Sequence, residues 1–152
     1  MSAMLFFTGC NKKDDSGGGS GKSVPDPEGT IIVAMRNASN EDTWIYPFPD
    51  IHYQSIVPYL HITSSDNFEG FDMQFTTVGK VNGLGNIISI PESGWATRVA
   101  VMPGYGYVGR YSNPNVDYLY VRIYVVDYIL AAVNNGVIGA TVKYQTPFEP
   151  GN

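Results

Sequence analysis

Residues 118–129 alternate aliphatic and aromatic side chains with a period of two, and no other feature constrains the fold as strongly. One face of this segment carries aliphatic side chains: Leu119, Val121, Ile123, Val125 and Ile129. The other face carries tyrosines and one arginine: Tyr118, Tyr120, Arg122, Tyr124 and Tyr128. β-Branched and aromatic residues suit a pleated strand, so we predict one long β-strand. Asp127 falls on the aliphatic face, and we expect it near the strand's end, where water reaches it.

Shorter segments also alternate their side-chain types with a period of two residues, and turn-forming residues join them. Three of them alternate clearly: 31–36, 71–78 and 137–144. Asn134-Asn135-Gly136 separates the last two strands and offers residues that tolerate positive φ, which predicts an antiparallel hairpin. Pro103-Gly104 predicts a second hairpin between the segments on its two sides.

The composition of the chain favours strands over helices. Glycine and proline, 17 and 10 of the 152 residues, cut the chain into short pieces, and only 129–133 offers a turn of helix. Hydrophobic residues make up 43%, close to the globular average of about 45–50%, so a core can form. We predict a single all-β domain over residues 29–152, folded as an antiparallel β-sandwich, with a small, partly open β-barrel as the alternative.

Residues 1–10 end in an apolar run, small residues and the one cysteine of the chain. This ending resembles a bacterial lipoprotein signal peptide, with Thr8-Gly9-Cys10 as its lipobox. The resemblance implies a lipid on Cys10 and a membrane as partner; a buried Cys10 after an accidental apolar start is the alternative. Signal peptides span about 15–30 residues with a positive start, whereas nine non-basic residues precede Cys10, so we expect the true start upstream.

Residues 11–28 are polar, rich in glycine and serine, and contain two prolines near their end. This composition predicts a flexible linker that holds a domain away from a membrane, and we expect residues 1–28 to lack fixed structure. Lys13-Asp14-Asp15 also resembles the acidic signal that directs Bacteroidota lipoproteins to the outer face of the outer membrane. A plain solvated linker explains the same residues equally well.

Three stretches of the body together resemble a known family: 79–87 (GKVNGLGNI), 94–108 (GWATRVAVMPGYGYV) and 122–128 (RIYVVDY). The family consists of small lipoproteins from Bacteroides and related gut bacteria, described as a domain of unknown function. The resemblance extends over residues 29–148. It implies an all-β domain at the cell surface or in the periplasm, and it implies no catalytic residues.

Residues 104–109 match the G-x-G-x-x-G pattern of dinucleotide-binding loops. Such a loop opens a helix whose N-terminus holds the pyrophosphate, whereas residues 110–114 (RYSNP) cannot begin one. We therefore predict a hairpin whose bends the glycines relieve, and no cofactor.

Two groups of polar residues offer weaker candidates. The first has the residue types of a hydrolase triad: Asp50, His52, Ser55 and His61. No nucleophile elbow or oxyanion loop accompanies them, so structural histidines are the better expectation. The second group offers carboxylate oxygens: Asp66, Glu69 and Asp72. It lacks the calcium-hand spacing, so we predict a solvated turn and no metal site.

Aromatic residues make up 13% of the chain and give the candidate ligand-binding residues: Trp44, Tyr120, Arg122 and Tyr124. A row of rings on an open sheet face stacks on sugars or peptides. The alternative is a second packed layer, in which the rings close a core. We expect the stem of Arg122 to pack on the tyrosine rings, with its head paired or wet.

Charge and composition narrow the classes of function. The net charge is −5 and only 15% of the residues are charged, which disfavours a nucleic-acid partner and convergent catalytic groups. We predict a lipid-anchored, non-enzymatic domain of the cell envelope with a binding or assembly role and an unknown ligand; a glycan and another envelope protein are the candidate partners. It would belong to the outer membrane, on the cell-surface or periplasmic face. A carbohydrate-binding accessory module is the alternative, and a hydrolase is a distant third.

Overall fold

The structure is a computed structural model that describes residues 21–37, 41–52, 54–112 and 117–151. This part contains eight β-strands: β1 (Ile31–Arg36), β2 (Leu60–Ile62), β3 (Asn67–Gly70), β4 (Met73–Lys80), β5 (Val99–Ala100), β6 (Tyr105–Tyr111), β7 (Leu119–Leu130) and β8 (Val137–Gln145). Glu41–Thr43 and Leu84–Asn86 form short 3-10 turns. The predicted lipid site Cys10 lies outside the described residues.

The strands form two antiparallel sheets. The large sheet has the order β1-β8-β7-β6-β4, and the small sheet has the order β2-β3-β5. In the described part of the chain the sheets are not closed into a barrel, so the predicted all-β sandwich is confirmed and the barrel alternative is wrong.

The main core lies between the two sheets. The small sheet contributes fully buried side chains: Leu60, Ile62 and Phe68. The large sheet contributes others: Phe75, Tyr107, Val121, Ile123, Val125, Ala140 and Val142. The ring of Phe68 lies 5.2 Å from that of Tyr107, edge to face, which joins the two layers at their centre.

A second, smaller cluster covers part of the outer face of the large sheet. Its buried members are Leu84, Ile87, Val108 and Phe148. Tyr120 and Tyr124 of β7 pack against this cluster. Part of the predicted tyrosine face is therefore a second packed layer.

A β-bulge in β7 changes the faces that the sequence predicted for its C-terminal half. Val125 pairs with Val142, but Asp127 rather than Val126 pairs with Thr141. The extra residue turns Tyr128 into the main core, where its hydroxyl donates to the Val101 carbonyl oxygen (2.8 Å). The prediction that Tyr128 shares the face of Tyr124 is therefore wrong, although Asp127 is exposed as expected.

One predicted hairpin is confirmed and the other is wrong. Between β7 and β8, Asn135 has a φ of 55° and the Asn134 Oδ1 accepts from the Gly136 amide (2.9 Å). At Pro103-Gly104 the chain turns as predicted, but β5 pairs with β3 and β6 pairs with β4 and β7. This turn therefore carries the chain from the small sheet to the large sheet.

The end of the predicted linker packs against the domain. The Val24 amide donates to Asn86 Oδ1 (3.2 Å), and the Lys143 ammonium forms an ion pair with the Asp26 carboxylate. The end of the predicted 11–28 linker is therefore in contact with the domain at Val24 and Asp26.

Candidate functional site

A cross-strand row on the outer face of the large sheet fixes one arginine. Gln74, Arg110 and Tyr120 lie opposite one another on β4, β6 and β7. The guanidinium carbon of Arg110 lies 4.1 Å from the centroid of the Trp95 ring and 4.3 Å from that of Tyr118. We call Gln74, Trp95, Arg110, Tyr118 and Tyr120 the arginine row.

Aromatic rings contact the faces of the Arg110 guanidinium, and Gln74 accepts hydrogen bonds along one of its edges. Its Nε and Nη2 groups donate to the same oxygen, Gln74 Oε1, at 3.0 and 2.7 Å. An arginine has five N–H donors, so the outer donors are left for other groups. Within the described chain, no carboxylate lies within ion-pair distance of this guanidinium.

The arginine row opens into a cleft of about 540 Å³, which we call the arginine cleft. Its lining is mixed polar and aromatic: Asp72, Met73, Gln74, Thr97, Arg110, Tyr111, Ser112 and Tyr118. Tyr118 is 43% exposed, so part of its ring is accessible to a partner. The cleft thus combines fixed rings, hydroxyl groups and one cation.

The predicted residues Tyr120, Arg122 and Tyr124 do lie on this face, but Arg122 is 5% exposed and internally bonded. It donates to Gln145 Oε1 (2.7 Å) and to the Ile87 carbonyl oxygen (2.8 Å), and burial lowers its pKa. The head of Arg122 is therefore paired, which is one of the two states that the sequence analysis allowed. The guanidinium carbon of Arg122 lies 4.8 Å from the centroid of the Phe148 ring.

Trp44 lies on a different surface, the outer face of the small sheet. Its indole stacks on Tyr59 (4.4 Å) and His61 (5.2 Å), whose own rings are 6.1 Å apart. Rings on opposite faces of one indole would lie about 7 Å apart, two contact distances of roughly 3.5 Å. Both rings therefore lie on the same side of Trp44.

Polar groups surround Trp44 in a second cleft of about 340 Å³, the tryptophan cleft. There Arg98 donates to both oxygens of Glu69, at 2.8 and 3.0 Å, and holds the pKa of that carboxyl below its ordinary value. Burial lowers the pKa of His61. Trp44 Nε1 and His61 Nδ1 are buried and have no hydrogen-bond partner within the described residues. The structure therefore separates Trp44 from the three predicted residues on β7.

The weaker candidates do not come together in one site. Asp66 accepts a hydrogen bond from Asn37 (3.1 Å), Glu69 binds Arg98, and Asp72 lines the arginine cleft. Within the described ranges, no three His, Cys, Asp or Glu side chains are placed to hold a metal ion.

The triad-like residues also occupy separate environments. Asp50, His52 and Ser55 are exposed on the segment before β2, whereas His61 is stacked on Trp44.

The G-x-G-x-x-G segment lies in a strand, so the predicted hairpin with bends at its glycines is wrong. Residues 105–109 lie in β6, between β7 and the edge strand β4 of the large sheet. A Cβ on Gly106 would lie 2.7 Å from a methyl carbon of Val78, and one on Gly109 would lie 3.0 Å from Val121. Both glycines allow close packing across the sheet, which explains the pattern without a nucleotide.

Sequence reasoning missed Arg110, Gln74 and Trp95. They are distant in the chain, and only the register of β4 against β6 and the fold of the 81–98 segment bring them together. A single arginine between a glycine and a tyrosine gave no local signal of this arrangement.

No helix in the described ranges is long and apolar enough to cross a membrane. Comparison with protein-family models, with curated proteins and with solved structures finds no match to this chain.

Proposed function

We propose that this chain is a lipid-anchored domain of the bacterial cell envelope that binds a partner without catalysing a reaction. The lipobox-like Thr8-Gly9-Cys10 and the polar residues 11–20 support the anchor and its tether. The resemblance to small Bacteroides-type lipoproteins supports an outer-membrane location, on the cell-surface or periplasmic face.

The arginine row is the observation that carries the binding function. Gln74 and two aromatic rings fix the Arg110 guanidinium in a cleft large enough for a small-molecule ligand. The aromatic rings can contact an apolar surface of a ligand, and the Arg110 guanidinium can donate hydrogen bonds to it. Neither an aromatic ring nor a guanidinium acts as a nucleophile or a general base.

The anchor is tested by labelling the native bacterium with an alkyne fatty acid. The wild-type chain should take up the label and sediment with membranes, whereas a Cys10→Ser variant should be unlabelled and released. Equal labelling of both chains would contradict the anchor.

The binding function is tested by recovering oligosaccharides from a complex with the full chain. The oligosaccharides should be recovered unchanged, and any cleaved product would contradict a non-enzymatic role.

Carbohydrate binding is the second candidate, and the tryptophan cleft favours it. The half-buried Trp44 lines this cleft together with Glu69 and Arg98, whose side chains form an ion pair. Sugars combine an apolar ring face with a rim of hydroxyls, and this surface offers a partner for each part.

Affinity electrophoresis in gels that contain neutral polysaccharides tests this candidate. The full chain should be retarded by at least one polysaccharide, and Trp44→Ala should abolish the retardation. Val133→Ala, a change at a side chain that is 98% exposed on the β7–β8 turn, is the matched control. Retardation that survives Trp44→Ala would contradict a role for this cleft.

A further inference from the structure

We propose that the arginine cleft is a subsite for an acidic saccharide, with Arg110 binding the carboxylate of a uronic acid. This inference rests on the proposed binding function and names the class of ligand.

The first argument is the preorganisation of Arg110. Trp95 and Tyr118 lie against its guanidinium, and Gln74 accepts from Nε and Nη2. A free arginine loses side-chain entropy when it binds a ligand, whereas this one is already held in place. The planar fork of donors that remains matches the two oxygens of a carboxylate.

The second argument is the lack of a counter-charge. The described part of the chain has two ion pairs, Glu69–Arg98 and Asp26–Lys143, and Arg110 belongs to neither. Its acceptor Gln74 is neutral, so the charge of a half-buried guanidinium is solvated but not neutralised. An anion that reaches the cleft can therefore form the first ion pair of this guanidinium with a group of the described chain or its ligand.

The third argument concerns the rest of the ligand. The net charge of the chain is −5 and Asp72 also lines the cleft, so a ligand with several negative charges on each sugar would be repelled there more strongly than one with a single carboxylate per sugar. A uronic acid carries one carboxylate and several hydroxyls on an apolar ring. The hydroxyls of Thr97 and Ser112 and the exposed part of the Tyr118 ring suit those other features.

The test is isothermal titration of the full chain with an oligogalacturonide and with its methyl ester. The two probes share every ring and differ at the carboxyl groups, which are charged in the acid and are uncharged and methylated in the ester. The wild-type chain should bind the acid about tenfold or more tightly than the ester, because hydrogen bonds to charged groups are the stronger ones. This preference should weaken as the salt concentration rises.

Variants assign the preference to Arg110. Arg110→Gln should remove it, and Arg110→Lys, which keeps the charge but loses the planar fork, should keep only a small part of it. Lys80→Gln makes the same change of charge at an exposed position of β4 away from the cleft, and it should retain the wild-type preference. Thermal unfolding of each variant confirms that it is folded.

The outcomes separate this inference from the binding function. Equal binding of acid and ester, or a preference that survives Arg110→Gln, would overturn the carboxylate subsite and leave a glycan-binding domain. Binding of neither probe would overturn the subsite as well. Cleavage of either probe would overturn the non-enzymatic function itself.

Discussion

The hydroxyl of Tyr107 fastens the connection between the two sheets. Tyr107 is fully buried on β6, where its hydroxyl donates to the Ala100 carbonyl oxygen (2.7 Å) and accepts from the Met102 amide (3.0 Å). Burial raises its pKa to about 12, so the hydroxyl stays protonated at physiological pH. The hydroxyl therefore stabilises the connection between β5 and β6.

Replacing Tyr107 with phenylalanine should lower the free energy of unfolding by about 1–3 kcal/mol, because a backbone donor and acceptor both lose their partner. Urea titration measures this change. Tyr105→Phe removes a hydroxyl on the same strand for which the described chain provides no hydrogen-bond partner, and it should cost much less. Equal losses in the two variants would contradict the structural role of the Tyr107 hydroxyl.

His61 should make the stability of the domain depend on pH. Burial lowers its pKa below the ordinary 6.5, and the neighbouring Glu69 and Arg98 act in opposite directions. The unfolded chain therefore binds a proton at a higher pH than the folded chain does. Stability is complete above pH 6.5 and falls as the pH decreases toward the folded pKa. The lowered pKa of Glu69 acts in the same direction, but only below its ordinary value of 4.5.

Between pH 7.5 and 5.5, the wild-type chain should lose more unfolding free energy than a His61→Gln variant. Urea titrations at the two pH values measure both losses. His52→Gln, a change at an exposed position, should keep the wild-type dependence. The interpretation fails if His61→Gln and the wild type lose the same amount.

At the scale of single elements, β6 depends on its glycines. A Cβ on Gly106 would lie 2.7–2.9 Å from side-chain atoms of Val78 and Ile87, and Ile87 is itself almost fully buried. Neither neighbour can move freely, because the second cluster packs on both of them.

Gly106→Ala should therefore destabilise the domain by about 1–3 kcal/mol through overpacking, as measured by urea titration. The comparison is Gly136→Ala, at a turn where the nearest atoms belong to the Asn134 side chain. That side chain is exposed and can move, so this variant should remain closer to the wild type. A Gly106→Ala variant as stable as the wild type would contradict the close packing on β6.

Local sequence patterns predict the faces and turns of single strands, but they do not predict bulges or strand partners. Alternation placed the faces of β7 correctly as far as Val125, and Asn134-Asn135-Gly136 predicted the final hairpin. The pattern could not reveal the bulge at Val126, because a bulge is fixed by pairing with β8 and leaves the local sequence unchanged. The partner of β5 was missed for a similar reason, since a turn does not specify which sheet a strand joins.

At the scale of the whole molecule, the sandwich has two outward faces with different chemistry. The large sheet presents Arg110 among rings, and the small sheet presents Trp44 beside an ion pair. The sequence predicted an aromatic surface but joined Trp44 to Tyr120, because alternation assigns a side chain to a face of its own strand and not to a face of the molecule. In the structure, Tyr120 belongs to the large sheet and Trp44 stacks on His61 of the small sheet, so the two side chains lie on different surfaces.

The two tryptophans of the chain, Trp44 and Trp95, report on the two faces independently. The decisive measurement is a ¹H–¹⁵N spectrum of the full chain titrated with the oligogalacturonide, with the indole N–H signals assigned by Trp44→Phe. We expect the Trp95 signal to move and the Trp44 signal to stay. The methyl ester should move the Trp95 signal far less. A Trp95 signal that does not respond at saturating probe, or responds equally to the ester, would contradict recognition by the arginine row.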